Sequence, residues 1–104
     1  MEGRPDLAAR EASELVARSP GHARAQNLLG ASLASLGRRD AARRAFRTSL
    51  EADPRDPVTY ANLGELELES GDRAAAARHF AEALAVDPTS EAAARGLAEA
   101  TGGR

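Results

Sequence analysis

The sequence predicts an all-α protein built from repeated helix pairs, and three observations carry that expectation. Ala, Leu, Glu and Arg dominate the 104 residues, β-branched residues are few and Ile is absent, a composition of good helix formers and poor strand formers. Aromatics make up only 3%. A chain of this length buries roughly two-thirds of its unfolded surface. Here it must do so with Leu, Val and above all Ala, whose small side chains let helices approach closely. The third observation is an internal repeat. Leu29-Gly30, Gly37, Ala42, Phe46, Leu50 and Asp53-Pro54 recur 34 residues later as Leu63-Gly64, Gly71, Ala76, Phe80, Leu84 and Asp87-Pro88. Glycines, an aromatic and a proline in step over that distance mark stacked supersecondary units.

The elements follow in order. Over 5–18, Pro5 suits a first helical position and Asp6 the positive end of the dipole. Leu7, Ala8, Ala12, Leu15 and Val16 supply an apolar stripe at helical spacing, and Ser19-Pro20-Gly21 stops the helix. A second helix, 22–36, carries Ala25, Leu29, Leu33 and Leu36 with Leu28 alongside, closed by Gly37 as a left-handed cap. A third, 39–52, turns Ala42, Ala45, Phe46, Ser49 and Leu50 inward. It ends at Asp53, because the residue before proline is driven out of the α region. Asp56 caps a fourth helix, with Pro57 at its first position, which runs to Ser70 and stops at Gly71. Asp72 caps a fifth, 73–86, with Ala76, Phe80, Ala83 and Leu84 inward and Pro88 beyond it. Thr89 or Ser90 caps a sixth, 91–100, whose thin apolar face is Ala93, Ala94, Leu97 and Ala98. The tail from Thr101 through Gly102 and Gly103 to Arg104 is expected to fray. Short loops make successive helices antiparallel neighbours.

The constellation Leu63-Gly64, Gly71, Ala76, Phe80, Ala83 and Asp87-Pro88 resembles the tetratricopeptide repeat, and residues 23–56 resemble a second copy. Residues 3–22, with Gly3 and Pro20 in step, resemble the second half of a preceding unit. Residues 91–101 resemble the first helix of a following one, Leu97-Ala98 standing for Leu-Gly. The resemblance implies a single domain over 1–104, divided at 3–22, 23–56, 57–90 and 91–101. Its fold would be a right-handed α-solenoid of antiparallel helix pairs with about six helices, one helix of each pair lining a concave wall. In that family Gly30 and Gly64 let paired helices close, Ala42 and Ala76 are the matching small contacts, and Phe46 and Phe80 fill the gap between helices. Two departures stand out. The aromatic of the first helix is Tyr60 in one copy but Gln26 in the other. The core slot of Leu33 becomes Glu67, which needs a partner if buried or else a local rotation that brings Leu66 or Leu68 into its place.

Chemistry is sparse. The net charge of −2 and pI near 5.7 give no push toward nucleic acid or an anionic membrane. All fourteen cations are Arg, in keeping with a GC-rich, bacterial coding bias. Without Cys there is no disulfide, thiol nucleophile or thiolate metal site. His22 and His79 share no ligand spacing and read as solvated or partly packed, so no metal is expected. No glycine-rich phosphate loop exists, and no Ser has an activating His nearby. The expectation is a non-enzyme without cofactor. No apolar run approaches the ~18 residues of a membrane span. The first residues lack a signal peptide's apolar segment, which points to the cytoplasm unless the sequence is part of a longer protein.

Two charged features remain. Arg39, Arg43 and Arg47, spaced four apart, form a stripe on the third helix. Without neighbouring aromatics it reads as a solvated face rather than a nucleic-acid contact. Glu65 and Glu69 share a face of the fourth helix. If the family geometry holds, that face, with Asn27, Leu28, Val58, Ala61, Asn62, Leu68 and Arg95, makes a mixed wall for a protein or peptide segment. A carboxylate-gripping clamp of the kind some members carry is disfavoured, because its slots here hold Asn27, Ala31, Asn62, Ala92 and Gly96 and its cations are missing. The expected function is a protein-interaction scaffold. The alternative is a spacer or self-assembling segment of a longer superhelix, associating through exposed terminal helices such as the first, with Leu7, Leu15 and Val16 uncovered.

Overall fold

A computed structural model describes residues 4–102; Gly3 of the expected first half-unit, and Gly103 and Arg104 of the tail, lie outside them. Six helices follow in order: α1 (Pro5–Arg18), α2 (Ala23–Ser35), α3 (Arg39–Ala52), α4 (Pro57–Ser70), α5 (Arg73–Val86) and α6 (Glu91–Ala100). No strand occurs among the described residues. The helices fall into two compact units, one ending at Pro54 and one beginning at Arg55. None is long and apolar enough to cross a membrane.

In the first unit α2 packs on both α1 and α3. His22 caps α2, its Nδ1 accepting from the Ala25 amide at 3.1 Å. Gly37, at φ +79°, ends the helix. The Arg38 amide returns to the Leu33 carbonyl at 2.9 Å and the Gly37 amide to that of Ala34 at 3.0 Å, the paired bonds of a left-handed glycine closure. Inside, Ala42, Ala45, Phe46 and Ser49 of α3 are buried, as their spacing predicts. The Phe46 ring lies so close to Gly30 that a methyl group there would stand 2.6 Å from it. Polar bonds complete the unit. The Ser49 hydroxyl donates to the Ala23 carbonyl at 2.7 Å. Gln26, where the other repeat has Tyr60, is buried and donates its side-chain amide to the Pro20 carbonyl at 3.0 Å. The departure from the aromatic is thus met by a hydrogen bond that fixes the α1–α2 turn. Of the α1 stripe only Ala12 is buried, and Leu7 and Leu15 are exposed.

The second unit packs α5 between α4 and α6, with α4 and α6 also in contact. Asp56 caps α4 by accepting from the Val58 amide at 3.0 Å and the Thr59 hydroxyl at 2.9 Å. Gly71, at φ +88°, repeats the closure seen at Gly37. Asp72 caps α5 through the Ala75 amide, and Ser90 rather than Thr89 caps α6 through the Ala93 amide. The core is Ala76, Phe80, Ala83, Ala93 and Ala100, with Tyr60, Ala61, Leu68, Leu84 and Leu97 packed around it. Phe80 sits between two glycines: an added methyl would come within 2.7 Å of its ring at Gly64 and closer still at Gly96.

That second contact corrects the sequence reading of α6. Gly96 and Ala100 join Ala93 in the core, whereas Ala94 and Ala98 are exposed. The buried positions 93 and 100 of α6 are in step with the buried Thr59 and Leu66 of α4, so the helix keeps the phase of the repeat, with Gly96 against the Phe80 ring. Ala98, in step with Gly64, is exposed because α6 meets no pairing helix among the described residues of the kind that α5 provides for Gly64. The rotation considered for α4 does not occur either: Leu66 and Glu67 are both buried, and Leu68 packs on the Phe80 cluster. Among the described residues no buried side-chain nitrogen or oxygen lacks a hydrogen-bond partner, as a buried carboxylate requires.

The ring–glycine contacts set a stability test. Gly64→Ala and Gly96→Ala each gain about 1 kcal/mol of helix propensity but overpack the ring at a cost of about 1–3 kcal/mol. Urea unfolding should show a net loss of up to about 2 kcal/mol for each. Gly21→Ala, with nothing near its added methyl and no positive φ, should stay within about 0.5 kcal/mol of the parent.

Candidate interaction surface

The residues of α4 divide by helical phase. Thr59, Leu63, Gly64, Leu66 and Glu67 are buried. On the remaining side Val58, Glu65 and Glu69 are exposed, with Ala61 and Asn62 half-buried between them. Val58, directly after the helix's first residue, is 59% exposed, a branched apolar side chain that folding leaves in water.

At this end of α4 the surface is concave. A cleft of about 190 Å³ is lined by Pro57, Val58, Ala61 and Asn62 on one side and, on the other, by Asp87 and Ser90 from the α5–α6 turn and Ala92 of α6. The turn is stiffened by its own bonds. The Asp87 amide donates to the Ala83 carbonyl at 2.8 Å, and its carbonyl accepts from the Ser90 amide at 3.1 Å. The Asp87 carboxylate accepts from the Thr89 hydroxyl at 2.6 Å and the Thr89 amide at 3.1 Å. The hydroxyl bond first, and the amide bond second, hold its carboxyl below the ordinary carboxylate range. The cleft thus joins an apolar wall, a side-chain amide with both donor and acceptor, and a carboxylate that stays ionised.

The sequence-predicted surface residues are only partly brought together. Val58, Ala61 and Asn62 meet at the cleft. Glu65 and Glu69 continue the same α4 stripe and are exposed. Leu68 and Ala61 pack on the Phe80 cluster, so Leu68 serves the unit's own core more than an open wall. Arg95 is exposed on α6, outside the cleft lining. Asn27, half-buried, and Leu28, 44% exposed, belong to α2 of the first unit. Sequence reasoning missed Asp87 and Ser90 as surface groups, treating them as a helix stop and a cap. Their one signal was the Asp-Pro dipeptide, which marks where the chain reverses and returns beside the start of α4.

The other charged features resolve locally. Within the arginine stripe, Arg43 is paired to Asp40 at 2.8 Å and largely covered, while Arg39 and Arg47 are exposed. His79 lies 2.8 Å from a Glu82 carboxylate oxygen one turn along α5. Among the described residues no three His, Cys, Asp or Glu side chains group as an ion would require.

A family model, the tetratricopeptide repeat, matches residues 2–57 and 62–101. No curated protein sequence matches the chain. Among solved structures, a crystal structure of MamA superimposes at a TM-score of 0.91 with 20% identity, over 97% of this chain and 59% of that one. A second MamA structure gives 0.90 and 20%, over 97% and 55%. A mutant of the Thermobaculum terrenum O-GlcNAc transferase gives 0.89 and 24%, over 94% of this chain and 19% of that enzyme. At these identities the likeness shows the fold, a solenoid of antiparallel helix pairs. The chain spans little more than half the length of the MamA chains.

The Asp87 turn makes its own prediction. Thr89→Val removes the hydroxyl donor and keeps the amide, so the Asp87 pKa, followed by carboxyl NMR titration, should rise toward its ordinary value. A depressed carboxyl pKa adds stability above the group's unfolded pKa and loses it as pH falls through the folded one. The variant should therefore be the less stable near neutral pH, with the difference closing in acid.

Proposed function

The chain belongs to the tetratricopeptide repeat family, and from that premise we propose that it is a non-enzymatic interaction module holding an extended protein segment along the outward face of α4. Proteins of this fold generally act as interaction scaffolds, and the repeat itself is a non-catalytic framework. The observation that carries the proposal is Val58, left 59% exposed at the rim of a cleft furnished with an amide and a carboxylate. The segment would take apolar contact from Val58 and polar guidance from Asn62, Glu65 and Glu69. Arg95, exposed on α6 of the same unit, would add a cation beside that face. Few anchors are available, so affinity in the micromolar range is expected. The proposal needs no cofactor, metal or nucleic acid.

The second reading, a spacer or self-assembling segment, has one specific support: Leu7 and Leu15 of α1 are 43% and 41% exposed. Sedimentation over a range of concentrations separates the two. A monomer that binds peptide favours the module; a dimer that dissociates on Leu7→Glu/Leu15→Glu substitution favours assembly.

The direct test is selection of peptides from a displayed library on the intact chain, followed by titration against variants. Val58→Arg should weaken the selected peptides at least fivefold, equivalent to the ~1 kcal/mol that marks a contributing contact. Glu65→Arg combined with Glu69→Arg should weaken basic peptides and spare neutral ones. Failure to enrich any peptide, or unchanged affinity in Val58→Arg, overturns the proposal.

A further inference from the structure

The cleft beside α4 differs from the rest of that face in being both closed on two sides and charged. At about 190 Å³ it is smaller than the roughly 300–1,000 Å³ of typical small-molecule sites. It has room for one long side chain. Its walls are chemically unequal. Pro57, Val58 and Ala61 offer apolar surface, while Asn62 and Asp87 offer oxygen acceptors, and no cation lines the cavity. Both Thr89 bonds go to one Asp87 oxygen, Oδ1, and the carboxylate carries a second.

We propose that this cleft is a subsite for an arginine side chain of the bound segment, its aliphatic stem on Val58 and Ala61 and its guanidinium between Asp87 and Asn62. The assignment rests on the interaction-module reading and specifies what that module selects. A long side chain with an apolar stem and a charged head suits a cleft of this construction. A planar fork of five donors uses a carboxylate and an amide carbonyl together better than an ammonium point charge does. The partial positive charge at the α6 N-terminus opposes a cation, but it is about half an elementary charge, against the full charge of Asp87. Glu65, exposed one turn beyond Asn62 on the same stripe, adds attraction of the same sign.

The test uses two blocked pentapeptides, Ala-Leu-Arg-Leu-Ala and its citrulline counterpart, which keeps the shape and removes the charge. Each is titrated into the isotopically labelled chain while the amide signals of Val58, Asn62, Thr89 and Ser90 are followed by NMR. The arginine peptide should shift these signals saturably and bind about fivefold more tightly than the citrulline peptide, the upper range for an exposed ion pair. Its advantage should shrink at 1 M salt. Asp87→Asn keeps an oxygen for Thr89, so the turn is retained, as circular dichroism would verify. It should bring the arginine peptide down to the citrulline level, whereas Glu65→Gln should preserve most of the difference. Equal binding of the two peptides, an unchanged ratio in Asp87→Asn, or no saturable shift at these amides overturns the arginine subsite. If library-selected peptides still lose affinity on Val58→Arg, the interaction module stands without this subsite; if they do not, both proposals fall.

Discussion

A phenylalanine ring set close against glycine on a neighbouring helix is the contact from which the rest of this protein follows. Phe46 covers Gly30, and Phe80 is held between Gly64 and Gly96. With two Phe and one Tyr in 104 residues, the two Phe rings are the largest fully buried side chains, ahead of Leu63 and Leu66. The neighbours are mostly alanines, each contributing little apolar area by itself. Removing a Cβ brings the backbone close enough for that small area to be fully buried. The cost is sensitivity, since a close-packed interior transmits a misplaced methyl instead of absorbing it.

Around those contacts the helix ends are secured one by one. His22, Asp56, Asp72 and Ser90 each accept an amide at a helix start, and Gly37 and Gly71 close helices with the same pair of backbone bonds. Each cap contributes about 1 kcal/mol. In a protein with so thin a core these local terms matter, and they place the α4 stripe reproducibly. The open face is a consequence of the same economy. One side of α4 is used for packing, and Val58, Glu65 and Glu69 remain for something else to touch.

Much of this was legible in the residues. Proline and glycine punctuation located all six helices to within a residue, because those residues act through backbone geometry that tertiary context does not override. Phe46, Phe80 and their alanine neighbours were legible from phase. The misses share a cause. Ala93, Ala94, Leu97 and Ala98 form as good an apolar stripe as Ala93, Gly96, Leu97 and Ala100, and only the position of a ring on another helix chooses between them. Leu68 could serve a wall or a core, and Asp87 could be a punctuation mark or a surface group, for the same reason. Periodicity reports what a helix could bury, not which neighbour it meets.

The Gly96 contact has one more implication. Any side chain at 96 would hold α6 away from the Phe80 ring, and Ser90, at the head of the same helix and on the rim of the cleft, would move with it. The width of the cleft mouth is thus set from the inside, by a residue that no ligand touches.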